Sequence, residues 1–209
     1  NIIGNNVEAR KQINIALKND PFSLELHLLS ALYYYHESRF DESLNECRQV
    51  EKLDPNSISI HWRYFHNYFW KGDDLNAVKA IEKIMTMDSM TLKNAAVVKE
   101  VYNNSKINGL LRWLIQLELK KPMPVDLTIA RLYSLLGKKP EAMFWLGKAW
   151  EKRSPRILEI NNDPDFENLR REPKFKEIIN QLGLSADRYT TFIENYPKKE
   201  SEMAVKPTF

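Results

Sequence analysis

Cysteine is nearly absent: Cys47 is the only one, so no intramolecular disulfide framework is available. The lone thiol is compatible with cytoplasm and periplasm alike. Six glycines in 209 residues are too few for the tight turns of an all-β fold. No apolar run approaches the ~18–20 residues that cross a bilayer, so this segment is expected to have no membrane span. Clustered charge of one sign is also missing. Residues 1–105 carry 12 basic against 14 acidic side chains, and residues 106–209 carry 19 against 14. That excess is spread out, well short of the basic stripe of a nucleic-acid binder, so no direct nucleic-acid contact is expected. What remains is 43% hydrophobic and 28% charged, enough apolar material for a sizeable core. The chain begins at Asn1, not Met, and reads as an excised or processed segment.

A period is present. Pro21 and Pro55 are 34 residues apart, and the same step links Ala9, Ser43 and Ala77, then Ile13, Cys47 and Ile81. Asp20, Asp54 and Asp88 keep it, as do Leu24, Ile58 and Leu92, and Tyr34, Tyr68 and Tyr102. Inside each period apolar residues recur at three- and four-residue spacings, as in Ala77, Val78, Ile81 and Ile84, which predicts helix. Ser38–Asp41 and Gly72–Asp74 read as short turns, with Asp41 capping the helix that follows. Asp-Pro at 20–21 and 54–55 ends the second helices, because proline disfavours helix at the residue before it. Each period is thus an all-α helix–turn–helix hairpin. One hairpin cannot bury both faces, so neighbours must stack into a solenoid, with Ala9, Ser43 and Ala77 where backbones approach closely and Cys47 in the buried layer.

The pattern Ala31, Tyr34, Phe40, Ser43, Cys47, Val50 and Pro55, repeated as Tyr64, Tyr68, Gly72, Ala77, Ile81 and Ile84, resembles the tetratricopeptide repeat family. The resemblance implies a right-handed α-solenoid of antiparallel helix hairpins with a C-terminal helical cap. His27 and His61 stand where that family favours Trp, and Ser89 stands where a third proline is due. Expected boundaries are a half-repeat over 6–21, repeats over 22–55 and 56–89, a degenerate unit over 90–121 and a fourth over 122–153. In the degenerate unit Leu92–Asn104 and Ile107–Leu119 keep helical patterning, while Leu111 replaces the small residue. Tyr102 to Tyr133 and Leu111 to Ala142 are both 31 residues, which predicts a three-residue deletion near Lys120–Pro124 and a shortened connection there.

Residues 145–184 carry a second, narrower resemblance, through Trp145-Leu146, Ala149-Trp150-Glu151-Lys152-Arg153, Asp163-Pro164-Asp165-Phe166 and Glu172-Pro173-Lys174-Phe175. This run is similar to the closing segment of tetratricopeptide domains attached to bacterial winged-helix transcriptional activators and nucleotide cyclases. It implies a sensory or protein-binding module. Phe166, Leu169, Phe175, Ile178, Ile179 and Leu182 are expected to cover the last hairpin over 154–184. The N-terminal edge, with Ile13, has no such cover, so more protein ahead of Asn1 or a second copy in a homodimer is expected there. Residues 185–209 read as a short helix, with Tyr189, Phe192, Ile193 and Tyr196 on one face, and a flexible polar tail.

Chemistry is not signalled. His61 and His66 are five residues apart, about 140° around a helix, so they diverge, and no metal site is expected. No Gly-rich phosphate loop, nucleophile elbow or Cys/His dyad occurs, so no enzyme and no cofactor are expected. In the implied stack the first helices line a concave groove, facing it with Tyr35, then Trp62, His66 and Phe69, then Glu100, then Arg131. These are the candidate partner-binding residues for a protein or peptide. The aromatic members read equally as the buried layer between repeats. The basic and amide clamp one subfamily uses for a C-terminal carboxylate is not matched: Leu28, Leu32, Trp62 and His66 occupy those places. The leading expectation is a protein-interaction module in a bacterial regulator, the first alternative a self-associating adaptor, and the third a small-ligand sensor.

Overall fold

The computed structural model describes residues 6–87 and 91–184. The expectations placed on Asp88, on Ser89 and on 185–209 lie outside the described residues. Among the described residues the chain is all-helical with no strand. Its helices are α1 (Asn6–Asn19), α2 (Leu24–His36), α3 (Phe40–Leu53), α4 (Ile58–Trp70), α5 (Asp74–Met87), α6 (Ala95–Leu119), α7 (Asp126–Leu135), α8 (Lys139–Glu151) and α9 (Pro173–Gln181). Short 3₁₀ turns cover Leu92–Asn94, Pro155–Glu159 and Pro164–Leu169. Each helix packs on the next in sequence, most extensively in the pairs α2/α3, α4/α5 and α7/α8.

The period fixes where elements begin and turn. Leu24, Ile58, Leu92 and Asp126 open helical segments at a constant step of 34. Ser38, Gly72 and Lys106 follow at the same step, and all three have positive φ, +58°, +69° and +54°. Lys106 breaks α6 into arms over 95–105 and 107–119. The degenerate third unit therefore keeps the backbone turn of the others with a lysine in place of glycine. Asp73 caps α5, its Oδ1 accepting from Asn76 N at 3.2 Å. Asp41 does not cap α3: the helix starts one residue earlier, at Phe40, with no side-chain cap. Asp41 lies in the first turn, where its charge suits the helix dipole, and pairs with Lys71 at 2.6 Å.

The deletion falls elsewhere than expected. The connection 120–125 is longer than 54–57, while α7 has 10 residues where α2 and α4 have 13. Since α7 opens in phase at Asp126 and turns three residues early at Gly137, the missing turn was taken from the helix itself. Glu118, buried at the end of α6, holds the connection by accepting from Val125 N at 2.9 Å.

The core has two clusters. The larger is centred on Phe65, Ile81, Leu110, Leu111 and Ile115; Cys47 and Val50 within it are fully buried. Ser43, at the small-residue position, donates its hydroxyl to Ala31 O at 2.8 Å, so α2 and α3 touch backbone to side chain. The second cluster joins α7 and α8 to the closing segment through Phe166, Leu169, Phe175, Ile178 and Ile179. Ile13, placed by expectation on an open edge, is instead 5% exposed beneath α2, because the inward stripe of α1 is the one that carries it. Ile15 is the half-exposed apolar residue of that helix. No helix among the described residues is long and apolar enough to cross a membrane.

Candidate functional site

The inner faces of α2, α4 and α7 meet at one carboxylate, Asp165. Asp163 opens the 3₁₀ turn Pro164–Leu169, its own Oδ1 accepting from Asp165 N at 3.0 Å, and Pro164 presets the turn. This places the Asp165 side chain among residues from distant parts of the chain. Oδ1 accepts from the Tyr35 hydroxyl at 2.6 Å and from Trp70 Nε1 at 2.7 Å. Oδ2 lies 2.8 Å from His66 Nδ1 and 3.0 Å from Arg131 Nε. These two contacts miss hydrogen-bond geometry, so charge attraction joins them. Arg131 also donates to Asp163. Ser134 and Asn168 exchange two further bonds, Ser134 Oγ to Asn168 Oδ1 at 2.7 Å and Asn168 Nδ2 to Ser134 O at 2.8 Å.

A carboxylate this buried needs compensation. Burial alone would raise the Asp165 carboxyl, but the opposing charges of His66 and Arg131 and the Tyr35 hydroxyl hold it well below the usual carboxylate range. Burial would likewise discharge Arg131; Asp163 and Asp165 outweigh it and keep the guanidinium charged. The Tyr35 hydroxyl is pushed well up, first by burial and then by the adjacent Asp165 and Asp163, so it stays a donor. His36, at the end of α2, is lowered to about 4 by burial against a weaker pull from Asp163, and its Nε2 has no partner.

Beside this latch lies a cavity of about 330 Å³ bounded by α4, the 118–125 segment, α7 and the closing segment. Trp62, Arg63, His66, Arg131 and Asp165 line it, with Lys121 and Arg156 also in the wall.

Of the residues the sequence nominates, Tyr35, His66 and Arg131 come together at Asp165, and Trp62 stands beside them in the cavity wall. Their first occupant is the chain's own closing segment: Tyr35 is 1% exposed and faces Asp165. Phe69 packs between the rings of Phe65 and Trp70 against the larger core cluster, which places it in the buried layer. Glu100 is exposed on the first arm of α6 and lies outside the cavity wall. Sequence reasoning assigned Asp163 and Asp165 to a turn and missed their role as the hub. Their Asp-Pro-Asp spacing signals a rigid capped turn, but nothing local names partners 95 and 130 residues upstream. The other histidines act as packing residues: His27 Nδ1 is 2.6 Å from Glu46, and His61 is buried against Tyr64. Among the described residues no cluster of three or more potential ligands could hold a metal ion.

Comparison of the chain with protein-family models, with characterised proteins and with solved structures finds no match.

Proposed function

We propose that the chain is a protein-interaction module of the tetratricopeptide type, a right-handed solenoid of helix hairpins with a helical cap. In this reading it is the regulatory region of a bacterial signalling or transcription protein and does no chemistry itself. The observation that carries the reading is the latch. Side chains of α2, α4 and α7 already hold a short acidic segment of the same chain, through two hydrogen bonds and two ion-pair contacts to one carboxylate. A face that recognises a segment in cis has the chemistry to recognise one in trans, with aromatic anchors and fixed polar donors. Trp62, partly exposed next to the latch, is the contact left for a partner.

The test is affinity capture from cells of origin with the wild-type chain and with Trp62→Ala. The reading expects a defined partner with the wild type and its loss in the variant, with the helical circular dichroism unchanged. Equal capture by both would sink it. The homodimer alternative loses its anchor, because Ile13 is buried within the chain. The small-ligand alternative is favoured by a separate observation, the enclosed polar cavity.

A further inference from the structure

The cavity wall carries an imbalance of charge. Arg63, Lys121, Arg131 and Arg156 line it against two carboxylates, Glu118 and Asp165. Arg131 is neutralised in place by Asp163 and Asp165. Lys121 reaches Glu118 at 2.6 Å and Arg156 reaches Glu159 at 3.0 Å, but both are local pairs three residues apart with the cations half exposed, and such pairs are easily redirected. Arg63 differs from all of these. Its guanidinium lies over the Tyr35 ring, 4.6 Å from the centroid, and among the described residues no carboxylate stands within ion-pair distance of it. The planar fork is thus held in place by stacking, its N–H donors uncommitted to any carboxylate.

Positive charge in a partly enclosed, low-dielectric cleft concentrates counter-ions, and a guanidinium fork matches the oxygens of a carboxylate or phosphate. Trp62, Val125 and Leu132 supply an apolar wall beside the cations. About 330 Å³ is at the small end of ligand sites, which run from roughly 300 to 1,000 Å³. We infer that this cavity is a binding site for a small oxyanion-bearing ligand, its phosphate or carboxylate held by Arg63, Lys121 and Arg156 and its carbon part laid against Trp62. The site shares its wall with the latch, through Arg131 and Asp165, so its occupant stabilises the latched chain by mass action. This inference does not depend on the peptide-binding reading.

Inorganic phosphate and citrate are the probes, titrated calorimetrically into the whole chain at ionic strength held constant with sodium chloride. The expected result is saturable one-to-one binding of at least one anion. Preference for phosphate identifies a phosphorylated ligand, and preference for citrate a carboxylate. Arg63→Gln should abolish the heat. The double variant Lys121→Gln/Arg156→Gln should weaken binding by about tenfold, roughly the loss of one charge-assisted contact. Those two side chains are half exposed, so the double variant decides the matter if Arg63→Gln fails to fold. No saturation by either anion, or equal affinity in wild type and double variant, overturns the inference. So does a Glu-rich octapeptide that binds at Trp62 and is displaced by neither anion; that outcome returns the cavity to the peptide reading.

Discussion

The Tyr35 hydroxyl donates to Asp165 Oδ1 at 2.6 Å, joining α2 to the closing segment across 130 residues of chain. The same carboxylate takes Trp70 Nε1 and the charges of His66 and Arg131. One side chain therefore gathers three helices that are far apart in sequence.

Asp165→Asn removes the charge while keeping the shape. Arg131 and the buried donors then lack their counter-charge, and breaking a buried pair in this way costs about 3 kcal/mol. The urea midpoint should fall accordingly with the slope unchanged. A variant within about 0.5 kcal/mol of wild type, the range of ordinary surface changes, would mean that the carboxylate is solvated and the latch open.

Acid should weaken the fold in two separable steps. His36 is depressed in the folded chain, from 6.5 to about 4, by burial. Its contribution is therefore complete above pH 6.5 and is lost as pH falls towards 4, because the unfolded chain takes up the proton first. Asp165 is also depressed below its unfolded value, so its contribution is present above the ordinary carboxylate range, near pH 4, and is lost only below it. Stability measured from pH 7 to 4.5 should decline by about 2 kcal/mol, given 1.36 kcal/mol per unit and some residual solvent access. His36→Gln should flatten that decline. A variant with the wild-type slope would reassign the step to another group.

Lys106 adopts φ +54°, ψ −165°, a region that glycine occupies and that costs other residues about 1–3 kcal/mol. Lys106→Gly should raise stability by about 1 kcal/mol, the strain relief less the added flexibility of the unfolded chain. Gly72→Ala, at the equivalent turn with φ +69°, should lower it by about 1 kcal/mol even though no heavy atom lies within 4 Å of the new Cβ. Opposite signs in thermal melts support the shared turn; equal signs would refute it.

Cys47 is wholly buried, and burial pushes its thiol up to about 12. The thiolate is the reactive form, so the native chain should resist thiol reagents until it opens. Labelling with a thiol-specific chromophore should follow the urea unfolding curve. Fast labelling in buffer would show that the pairing of α3 with its neighbours is loose.

Much of the fold was legible because one supersecondary unit recurs at a fixed step. Leu24, Ile58, Leu92 and Asp126 open helices in phase, and Ser38, Gly72 and Lys106 mark the turns. The site of the deletion was not legible, since spacing reports that three residues are missing but not whether a loop or a helix lost them. Tyr35, His66 and Arg131 were nominated from helix periodicity, which correctly put them on one face. Periodicity says nothing of what covers that face. Asp165 reaches it only after the chain has passed through every pair and returned, a long-range closure with no local trace. Phe69 went to the buried layer because Phe65 and Trp70 flank it on the same helix, a choice that alternation of apolar residues leaves open.

The measurement that bears most directly on the latch is a double-mutant cycle on Tyr35→Phe and Asp165→Asn, read by urea unfolding of the two single variants and the double. A hydrogen bond to a buried carboxylate predicts a coupling of about 1.5–3 kcal/mol, so the double variant should lose that much less than the two singles together. Additive losses, with coupling indistinguishable from zero, would contradict the account: the inner faces of α2, α4 and α7 would not be held by Asp165.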